Sequence, residues 1–329
     1  MSVPVRLIAE LCQNHNGRYE LVEKMVDAAA EAGATHVKIQ TIYADALAYR
    51  PQFEEGLVQD GTVRSIKRAW QPEYDRLKGL ELTPADCERF VEFAHKAGLV
   101  PVTTCFARAH AQMIADQGFT TVKVASYDCA SFPMLRDLAG RFKEIIVSTG
   151  ATFDEEIKHA VDILKERLSP SQYALLHCVT LYPTPLGDTH LARLEWLRQL
   201  ALHVGFSDHS LVTRDGMLAS KAALAMGAEL VERHFTVLEA DQSRDGPVSM
   251  TPRHLRELAD FAKLEIVERR AQLDEQYPEW RITIGSAQRS LSDPELLNRA
   301  YYRGRFASPR AGLDNGREMI FNWEETPLS

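Results

Sequence analysis

The 329-residue sequence lacks several features, and each absence excludes a class of protein. No run of about 18 apolar residues is present, and no basic N-terminal region precedes a long apolar core, so we expect neither a membrane span nor a signal peptide. The five cysteines form no CxxC pair, which is typical of reduced thiols in a cytoplasmic enzyme. The net charge of -8 disfavours nucleic acid and anionic membranes as partners.

Motifs of several common enzyme classes are also absent. The sequence has no GxSxG, GxxxxGK[ST] or HExxH motif, which disfavours acyl transfer by a serine nucleophile and nucleotide hydrolysis. The GxGxxG motif that follows the first strand of a dinucleotide-binding sheet is missing as well.

Short apolar segments rich in β-branched residues alternate with longer amphipathic segments. The predicted strands are residues 5–9, 35–40, 100–104, 121–125, 144–148, 174–178, 203–206 and 230–233. Helical periodicity covers residues 21–32, 84–97, 108–117, 131–138, 154–167, 191–199, 215–226, 252–272 and 294–302. Eight strands alternating with helices predict an α/β fold, a (β/α)₈ TIM barrel, with an open doubly wound sheet as the alternative.

Two stretches do not fit the plain barrel. Residues 42–82 form a long excursion with several aromatic residues, and a loop of this length after a barrel strand is usually functional. The chain from about residue 286 has one helical segment and then an irregular run. We therefore predict a catalytic barrel over residues 1–285 and a C-terminal extension over residues 286–329.

Polar or ionisable residues recur at the C-terminal ends of the predicted strands, where barrels of this type carry their active sites. They include Glu10, Lys38, Gln40, Thr104, Lys123, Ser126, Ser148, Tyr182, Ser207, His209, Glu232 and His234. Residues that only fill a barrel are mostly valine, isoleucine and leucine. As a set, these residues therefore favour a functional site over a solvated edge.

Lys38 and Lys123 lie inside predicted strands, in THVKIQT and TTVKVAS. Because side chains alternate between the two faces of a strand, Lys38 shares a face with Gln40, opposite to Ile39. Two inward lysines need an anion, since an unpaired buried charge is costly. Serine and threonine hydroxyls at neighbouring strand ends complete a predicted cradle for phosphate and carboxylate groups. The alternative is that both ammonium groups reach solvent at the strand ends.

His209 and His234 follow strands 7 and 8, which are neighbours in a barrel, so both can point at one position near its mouth. Imidazole is a common ligand of Zn, Mn, Fe and Co. With oxygen ligands from Glu10 or Glu232, the pair indicates a metal site, and a pair of merely hydrogen-bonded histidines is the alternative. His15 is either a further ligand or a brace of the first loop.

The series of motifs resembles the sialic acid synthases and related nonulosonate synthases. IAELCQNHNG and GATHVKIQT match the opening of that family, and TTCFAR, VKVAS, IVSTGA, LLHCVTLYPTP, GFSDHS and VERHFT follow at strands 3 to 8. The match runs in order over about residues 5–260 with one motif per strand, which makes it more specific than any single motif.

Members of that family condense phosphoenolpyruvate with an aldose, typically an N-acylated amino sugar, and release phosphate. They use a divalent metal, commonly Mn²⁺. The resemblance therefore implies a synthase that makes a 3-deoxy-2-keto sugar acid of the sialic acid type, with Mn²⁺, Mg²⁺ or Co²⁺ as its cofactor. It also implies a homodimer.

The resemblance assigns roles to individual positions. The implied phosphoenolpyruvate-binding residues are Lys38, Thr104, Lys123, Ser126, Ser148 and Ser207. The implied metal ligands are His209 and His234, and the implied sugar-binding residues are Gln40, Tyr182 and Asp245. Glu10 and Glu232 match acidic residues near the reacting carbons, and Glu10 ranks before Glu232 as the group that activates water.

The chain departs from the family pattern in two respects. Thr180 stands where the strand 6 motif usually has asparagine, and SRDGPVS replaces a Gly-Pro-Asp run, although Asp245 still aligns. The family usually adds a C-terminal antifreeze-like domain, from which a basic residue reaches the partner's site. Here the chain ends soon after a segment that resembles the beginning of that domain, so Arg303, Arg305 and Arg310 are the candidates to replace that residue. The acceptor sugar and the pathway stay open.

Two other functions compete with the synthase. A Schiff-base aldolase would use Lys123 or Lys38 on pyruvate, and borohydride trapping of a pyruvate adduct would favour it. A non-catalytic barrel, kept as a binding or dimerisation module, would bind neither phosphoenolpyruvate nor manganese.

Overall fold

The computed structural model describes residues 4–310 and 318–328. Within these residues, parallel strands close into an eight-stranded barrel in which neighbours follow chain order and the last strand pairs with the first. The strands are β1 (Arg6–Glu10), β2 (His36–Thr41), β3 (Val100–Cys105), β4 (Thr121–Val124), β5 (Glu144–Ser148), β6 (Tyr173–His177), β7 (His203–Asp208) and β8 (Leu230–His234). The predicted barrel is confirmed, and its strand bounds differ from the prediction by at most two residues.

Helices cover the barrel and its two ends. They are α1 (Tyr19–Glu31), α2 (Trp70–Lys78), α3 (Pro84–Lys96), α4 (Ala111–Asp116), α5 (Phe132–Ala139), α6 (Asp154–Lys165), α7 (Arg193–Leu197), α8 (Val212–Asp215), α9 (Leu218–Ala225), α10 (Pro252–Ala262), α11 (Ile266–Gln276) and α12 (Asp293–Tyr302). In the described part of the chain, no helix has both the length and the apolar character needed to cross a membrane.

Three helix predictions are wrong in extent. The single helix predicted over residues 252–272 is two helices, because the Glu265 backbone N–H donates to Glu268 at 2.9 Å in a capping box that starts α11. The segment predicted over 215–226 is interrupted at Gly216, whose φ of 56° ends α8 and delays α9 to Leu218. Over residues 108–117, a 3₁₀ turn at Arg108–His110 precedes α4.

Alternation along the strands separates the helix-facing core from the barrel interior. An apolar cluster inside the barrel consists of Ile8, Ile146, Ala174, Leu176 and Leu230. Two positions further along their strands, Ile8 is followed by Glu10, Ile146 by Ser148 and Leu230 by Glu232. Gly205 leaves room for this cluster, because a Cβ atom there would lie 2.7 Å from Leu176 Cδ2. The interior thus changes from apolar to ionisable towards the C-terminal ends of the strands.

The excursion after β2 and the C-terminal tail pack on each other. The excursion contains α2 and a hairpin of Leu57–Gln59 with Thr62–Ser65, and the tail contains α12 and an antiparallel pair of strands, Ala307–Pro309 and Met319–Phe321. The ring of Phe53 lies edge-on to that of Tyr301, with centroids 5.1 Å apart. Buried Asn322 ties the tail to the barrel by donating to the Phe106 carbonyl at 2.8 Å. The predicted domain division at residue 285 stays a prediction.

Candidate active site

A cavity of about 450 Å³ lies at the C-terminal ends of the barrel strands. It is lined by all thirteen residues that the resemblance implied as catalytic, phosphoenolpyruvate-binding, sugar-binding or metal-binding: Glu10, Lys38, Gln40, Thr104, Lys123, Ser126, Ser148, Tyr182, Ser207, His209, Glu232, His234 and Asp245. The two lysines and two histidines, scattered over the chain, therefore face one space. The individual roles of these residues stay predictions.

Two lysines and two glutamates form what we call the floor of the cavity, and each is at most 4% exposed. Both Glu232 carboxylate oxygens lie 2.8 Å from Lys123 Nζ, and Lys38 Nζ lies 3.8 Å from the same carboxylate. Lys38 also contacts the carboxylate of Glu10. Since two amines face two carboxylates, the floor has no excess of positive charge.

Burial and mutual charge set the protonation of the floor. Burial lowers the pKa of Lys38 to about 7, against the opposing effect of Glu232. Burial alone would raise the pKa of Glu232, but the adjacent ammonium groups of Lys123 and Lys38 outweigh it and keep this pKa below its usual value. Glu232 therefore stays a carboxylate at neutral pH, whereas Lys38 is only partly protonated there.

Hydroxyl groups surround the two lysines. Thr104 Oγ1 accepts a hydrogen bond from Lys38 Nζ at 3.1 Å, and Ser207 Oγ donates to Glu232 at 3.2 Å. Ser126 Oγ accepts from the Gly150 backbone N–H at 3.2 Å. The buried hydroxyl of Ser148 has no hydrogen-bond partner among the described residues. This hydroxyl is therefore available to a ligand, because a buried polar group without a partner is unfavourable.

The two histidines have the form that binds metals. Their ring centroids lie 5.6 Å apart, and burial lowers the pKa of His209 to about 3 and that of His234 in the same direction, so both imidazoles are neutral. His209 Nδ1 lies 3.1 Å from the Val179 carbonyl, which assigns the proton to Nδ1 and leaves a lone pair on Nε2. Tyr182 Oη lies 3.0 Å from this Nε2.

Further donors complete a fit to a divalent cation. The buried Nδ1 of His234 has no hydrogen-bond partner in the described ranges. Ligand atoms of Cys12, His234 and Asp245 lie within 4.8 Å of one another. A neutral imidazole with a carboxylate oxygen suits Mn²⁺ and similar ions, so His234 and Asp245 fit the metal that the sequence predicts, whereas His209 is not part of this group of ligand atoms.

A buried ion pair holds the strands that carry these histidines. Arg233 contacts Asp208, and both side chains are 0% exposed. Arg233 also donates to the Ser210 carbonyl at 2.7 Å, and Asp208 accepts from the Ser210 backbone N–H at 2.8 Å. Asp208 precedes His209 and Arg233 precedes His234, so the pair fixes both histidines from the opposite face of the sheet. The sequence analysis did not identify this pair.

The outer part of the cavity was largely missed by the sequence analysis. It contains what we call the rim arginines: Arg68 and Arg76 from the excursion, Arg244 after β8 and Arg305 from the tail. Arg76 binds the buried carboxylate of Glu73 through two hydrogen bonds of 2.8 and 2.9 Å, and Arg305 contacts the same carboxylate. For Arg68 and Arg76 the available signal was the length and charge of the excursion, which does not specify which side chains turn inward. Arg305 was a candidate from the resemblance, and the sequence analysis gave no signal for Arg244.

The tail contributes to the cavity within the same chain. Of the three arginines proposed from the sequence, only Arg305 lines the cavity; Arg303 lies 3.5 Å from Glu156, and Arg310 is exposed. Asn298 of α12 also lines the cavity and donates to the Thr180 carbonyl at 2.7 Å. A side-chain amide therefore lies beside the position where the family usually has asparagine.

His15 is a brace and not part of the cavity wall. Its Nδ1 accepts a hydrogen bond from the Gly17 backbone N–H at 3.1 Å, and the residue is absent from the cavity lining. Burial lowers the pKa of His15 to about 4, so its imidazole is neutral at pH 7. Of the two alternatives for this residue, the structure favours stabilisation of the first loop.

Comparison with known proteins gives a consistent assignment. The model described as "NeuB family" matches residues 25–269. The N,N'-diacetyllegionaminic acid synthase of Legionella pneumophila is 31% identical over 320 residues, which cover 95% of this chain and 82% of that protein. The pseudaminic acid synthase of Campylobacter jejuni is 29% identical over 306 residues, covering 92% and 82% of the two chains.

A solved structure shows the same fold. The N-acetylneuraminic acid synthetase of Leptospira borgpetersenii, crystallised with citrate, aligns with a TM-score of 0.67 and 27% identity over 91% of each chain. These relatives confirm the resemblance inferred from the strand motifs and the predicted enzyme class, a synthase of the sialic acid type. With its eight-stranded barrel and its match to the family model over most of its length, the chain belongs to the NeuB family.

Proposed function

We propose that the protein condenses phosphoenolpyruvate with an aldose, an N-acylated amino sugar in the first instance, and releases phosphate to form a 3-deoxy-2-keto sugar acid. The observation that carries the proposal is the convergence of two buried amines and two neutral imidazoles on one cavity of a NeuB-family barrel.

Phosphoenolpyruvate lies over the floor in this proposal. Lys38 and Lys123 bind its phosphate and carboxylate, with hydroxyl donors from Thr104, Ser126 and Ser148. Fixed ammonium and hydroxyl groups in a dry cavity stabilise developing negative charge more strongly than water does. The enol carbon of phosphoenolpyruvate attacks the sugar aldehyde, and water then adds to the resulting cationic carbon before phosphate leaves.

A divalent cation, Mn²⁺ in our proposal, is held by His209 and His234 with Asp245 beside them. It polarises the aldehyde as a Lewis acid when bound. The charges of the floor support this assignment. The two amines and two carboxylates of the floor leave no excess of positive charge, whereas phosphoenolpyruvate is a polyanion and needs additional positive charge. The imidazoles of His209 and His234 are neutral and add no negative charge around the cation.

We assign to Glu10 the role of the base that accepts a proton from the attacking water. Glu232 is held by Lys123 and Ser207 and its pKa is lowered, so it is a weak base. Glu10 is also buried, but its partners are the Cys12 backbone N–H at 2.6 Å and Lys38, whose own pKa is about 7. In this proposal Glu10 accepts the proton of the attacking water, and Lys38, which contacts Glu10, is the neighbouring group that can take the proton up near pH 7.

One observation favours the aldolase alternative. Because its pKa is lowered to about 7, Lys38 is partly an uncharged amine at neutral pH, as a Schiff-base lysine must be. Borohydride treatment in the presence of pyruvate, followed by mass spectrometry, distinguishes the two reactions. A pyruvate adduct on Lys38 would replace our proposal by the aldolase.

The test of the synthase is a three-component requirement. We expect phosphate release only when phosphoenolpyruvate, Mn²⁺ and a suitable sugar are all present, and loss of release when the metal is chelated. Absence of release over a broad panel of free and phosphorylated aldoses would count against the proposal. The predicted homodimer and cytoplasmic location stay predictions.

A further inference from the structure

We propose that Cys12 is a ligand of the divalent cation, together with His234 and Asp245, and that its sulfur favours cations such as Co²⁺ and Zn²⁺ at this site. The inference deepens the proposed function, on which it rests for the presence of a cation at this end of the barrel. It concerns a residue to which the sequence motifs assigned no role.

Cys12 is placed beside the predicted metal ligands by the first strand. It follows β1 by two residues, and its backbone N–H donates to the Glu10 carboxylate at 2.6 Å. Glu10 is opposite His234 in the pairing of β1 with β8, so barrel register brings the thiol and the imidazole together. One ligand atom each of Cys12, His234 and Asp245 lies within 4.8 Å of the other two. Since ligands of one cation are at most about 4.5 Å apart, these three side chains need little adjustment to share one.

A nitrogen of the neighbouring imidazole points to the same ligand. The Nδ1 atom of His234 is buried and has no hydrogen-bond partner in residues 4–310 and 318–328, and the whole residue is only 8% exposed. A buried nitrogen without a partner is unfavourable. A cation bound beside Cys12 and Asp245 gives the lone pair of this imidazole a partner.

The surroundings of Cys12 differ from those of three other buried cysteines. Cys87, Cys105 and Cys129 belong to the helix-facing apolar core, whereas Cys12, which is 0% exposed, belongs to none of the apolar clusters of the described residues. Its backbone has a φ of 42°, in the left-handed region that favours glycine. Apolar packing therefore does not explain a side chain at this position, and a metal-binding thiol does.

Sulfur changes the preference of the site among cations. The thiolate is the form that binds metals, so a coordinating thiol releases its proton to solvent. Thiolate and imidazole ligands suit Zn²⁺ and the similar Co²⁺, whereas Mg²⁺ and Mn²⁺ suit carboxylate and water oxygens. Because Co²⁺ binds more tightly than Mn²⁺ at most sites, the informative quantity is the ratio of the two affinities with and without the sulfur.

The experiment titrates the protein with Co²⁺ in the absence of substrates and records the near-ultraviolet absorption, where a bond from thiolate sulfur to Co²⁺ gives a charge-transfer band. We expect the band in the native protein and its loss in Cys12→Ser and Cys12→Gly. Calorimetry should show Co²⁺ affinity reduced by about tenfold or more, the least that loss of a residue behind a metal ligand costs, and a smaller reduction for Mn²⁺.

Two features of the design keep the test specific. Glycine adopts the φ of Cys12 without strain, so Cys12→Gly keeps the fold even where serine disturbs the loop, and circular dichroism checks this. Cys87→Ser changes a buried cysteine of the apolar core, on α3, and is the matched control. It should retain the band and both affinities.

The outcomes separate the inference from the proposed function. No band in the native protein, or a band that the Cys12 variants retain, would overturn the inference, while phosphate release with Mn²⁺ would leave the synthase standing. Affinities for Co²⁺ and Mn²⁺ that fall by the same factor would also overturn it, because Cys12 would then only position the loop. A band that depends on Cys12, in a protein that releases no phosphate with any sugar, would reject the synthase and support the inference.

Discussion

The floor and the rim of the cavity differ in origin, burial and charge. The floor residues lie on regular barrel strands, are almost completely buried and combine two ammonium groups with two carboxylates. The rim arginines lie on connecting segments, are partly exposed and outnumber their acidic partners. Strand positions fixed by barrel register suit the reacting atoms, which tolerate little displacement. Loops vary without disturbing the barrel, so they suit recognition of the distal part of the acceptor.

The largest effect expected at the floor follows removal of an amine. Lys123→Met should lower the rate of phosphate release by about 100- to 1000-fold, the range for loss of one fixed donor to developing charge. Lys221→Met is the matched control, because Lys221 is also buried and paired, with Glu257 at 2.6 Å, but lies outside the cavity. The control should lose stability and keep its activity per folded molecule. Equal activity losses in the two variants would contradict a specific role for the floor.

Removal of a metal ligand should have a comparable effect on activity and a separate effect on binding. His234→Gln should abolish Mn²⁺ binding measured by calorimetry and lower the rate of phosphate release by about 100-fold. Loss of a residue that only hydrogen-bonds a metal ligand already lowers metal affinity or activity by about 10- to 100-fold. His177→Gln is the matched control. It changes a buried histidine that lies outside the cavity and whose Nε2 is 2.7 Å from the Thr189 carbonyl. Mn²⁺ binding by His177→Gln should be unchanged. Unimpaired Mn²⁺ binding by His234→Gln would show that His234 is not a ligand of the metal.

At the rim, Glu73→Gln should mainly affect stability. Loss of this buried carboxylate leaves Arg76 and Arg305 without their partner and should lower the free energy of unfolding at pH 7 by about 3 kcal/mol. Burial raises the pKa of Glu73, but the arginines lower it further, to about 2 from an ordinary 4.5. Since the folded-state pKa is depressed, this contribution is complete above about pH 4.5 and disappears as the pH falls towards 2.

Denaturant titrations of both proteins across this pH range test the effect of Glu73. The difference in unfolding free energy between the native protein and Glu73→Gln should shrink as the pH falls. A difference that does not depend on pH would mean that the carboxylate contributes by packing and not by its charge.

The smallest effect concerns the attachment of the tail. Asn322→Ala removes bonds to the Phe106 carbonyl at 2.8 Å and to Asp128 at 3.0 Å, and should lower the free energy of unfolding by about 1–3 kcal/mol. If the tail holds Arg305 at the rim, the KM for the sugar should rise more than the KM for phosphoenolpyruvate. Gln272→Ala is the control, because the Gln272 side chain makes an exposed bond to Gln276 at 3.4 Å and lies outside the cavity. Equal rises in both KM values would contradict the separation of floor and rim.

Much of the floor could be predicted from the sequence because it depends on local rules. Alternation of side chains placed Lys38 and Gln40 on the inner face, and the order of strands placed His209 next to His234. The errors in helix extent have equally local causes. The φ of Gly216 and the capping box at Glu265 interrupt helices whose apolar periodicity continues through them.

The sequence by itself determined the barrel, the inward positions and the family motifs, because strand periodicity and strand order are encoded in consecutive residues. Only the tertiary structure decided that Arg244 and Arg305 meet the pair of Glu73 and Arg76, which is formed within helix α2 at i,i+3 spacing. No periodicity relates the excursion, the segment after β8 and the tail. Their convergence depends on how the excursion and the tail pack on each other across the mouth of the barrel.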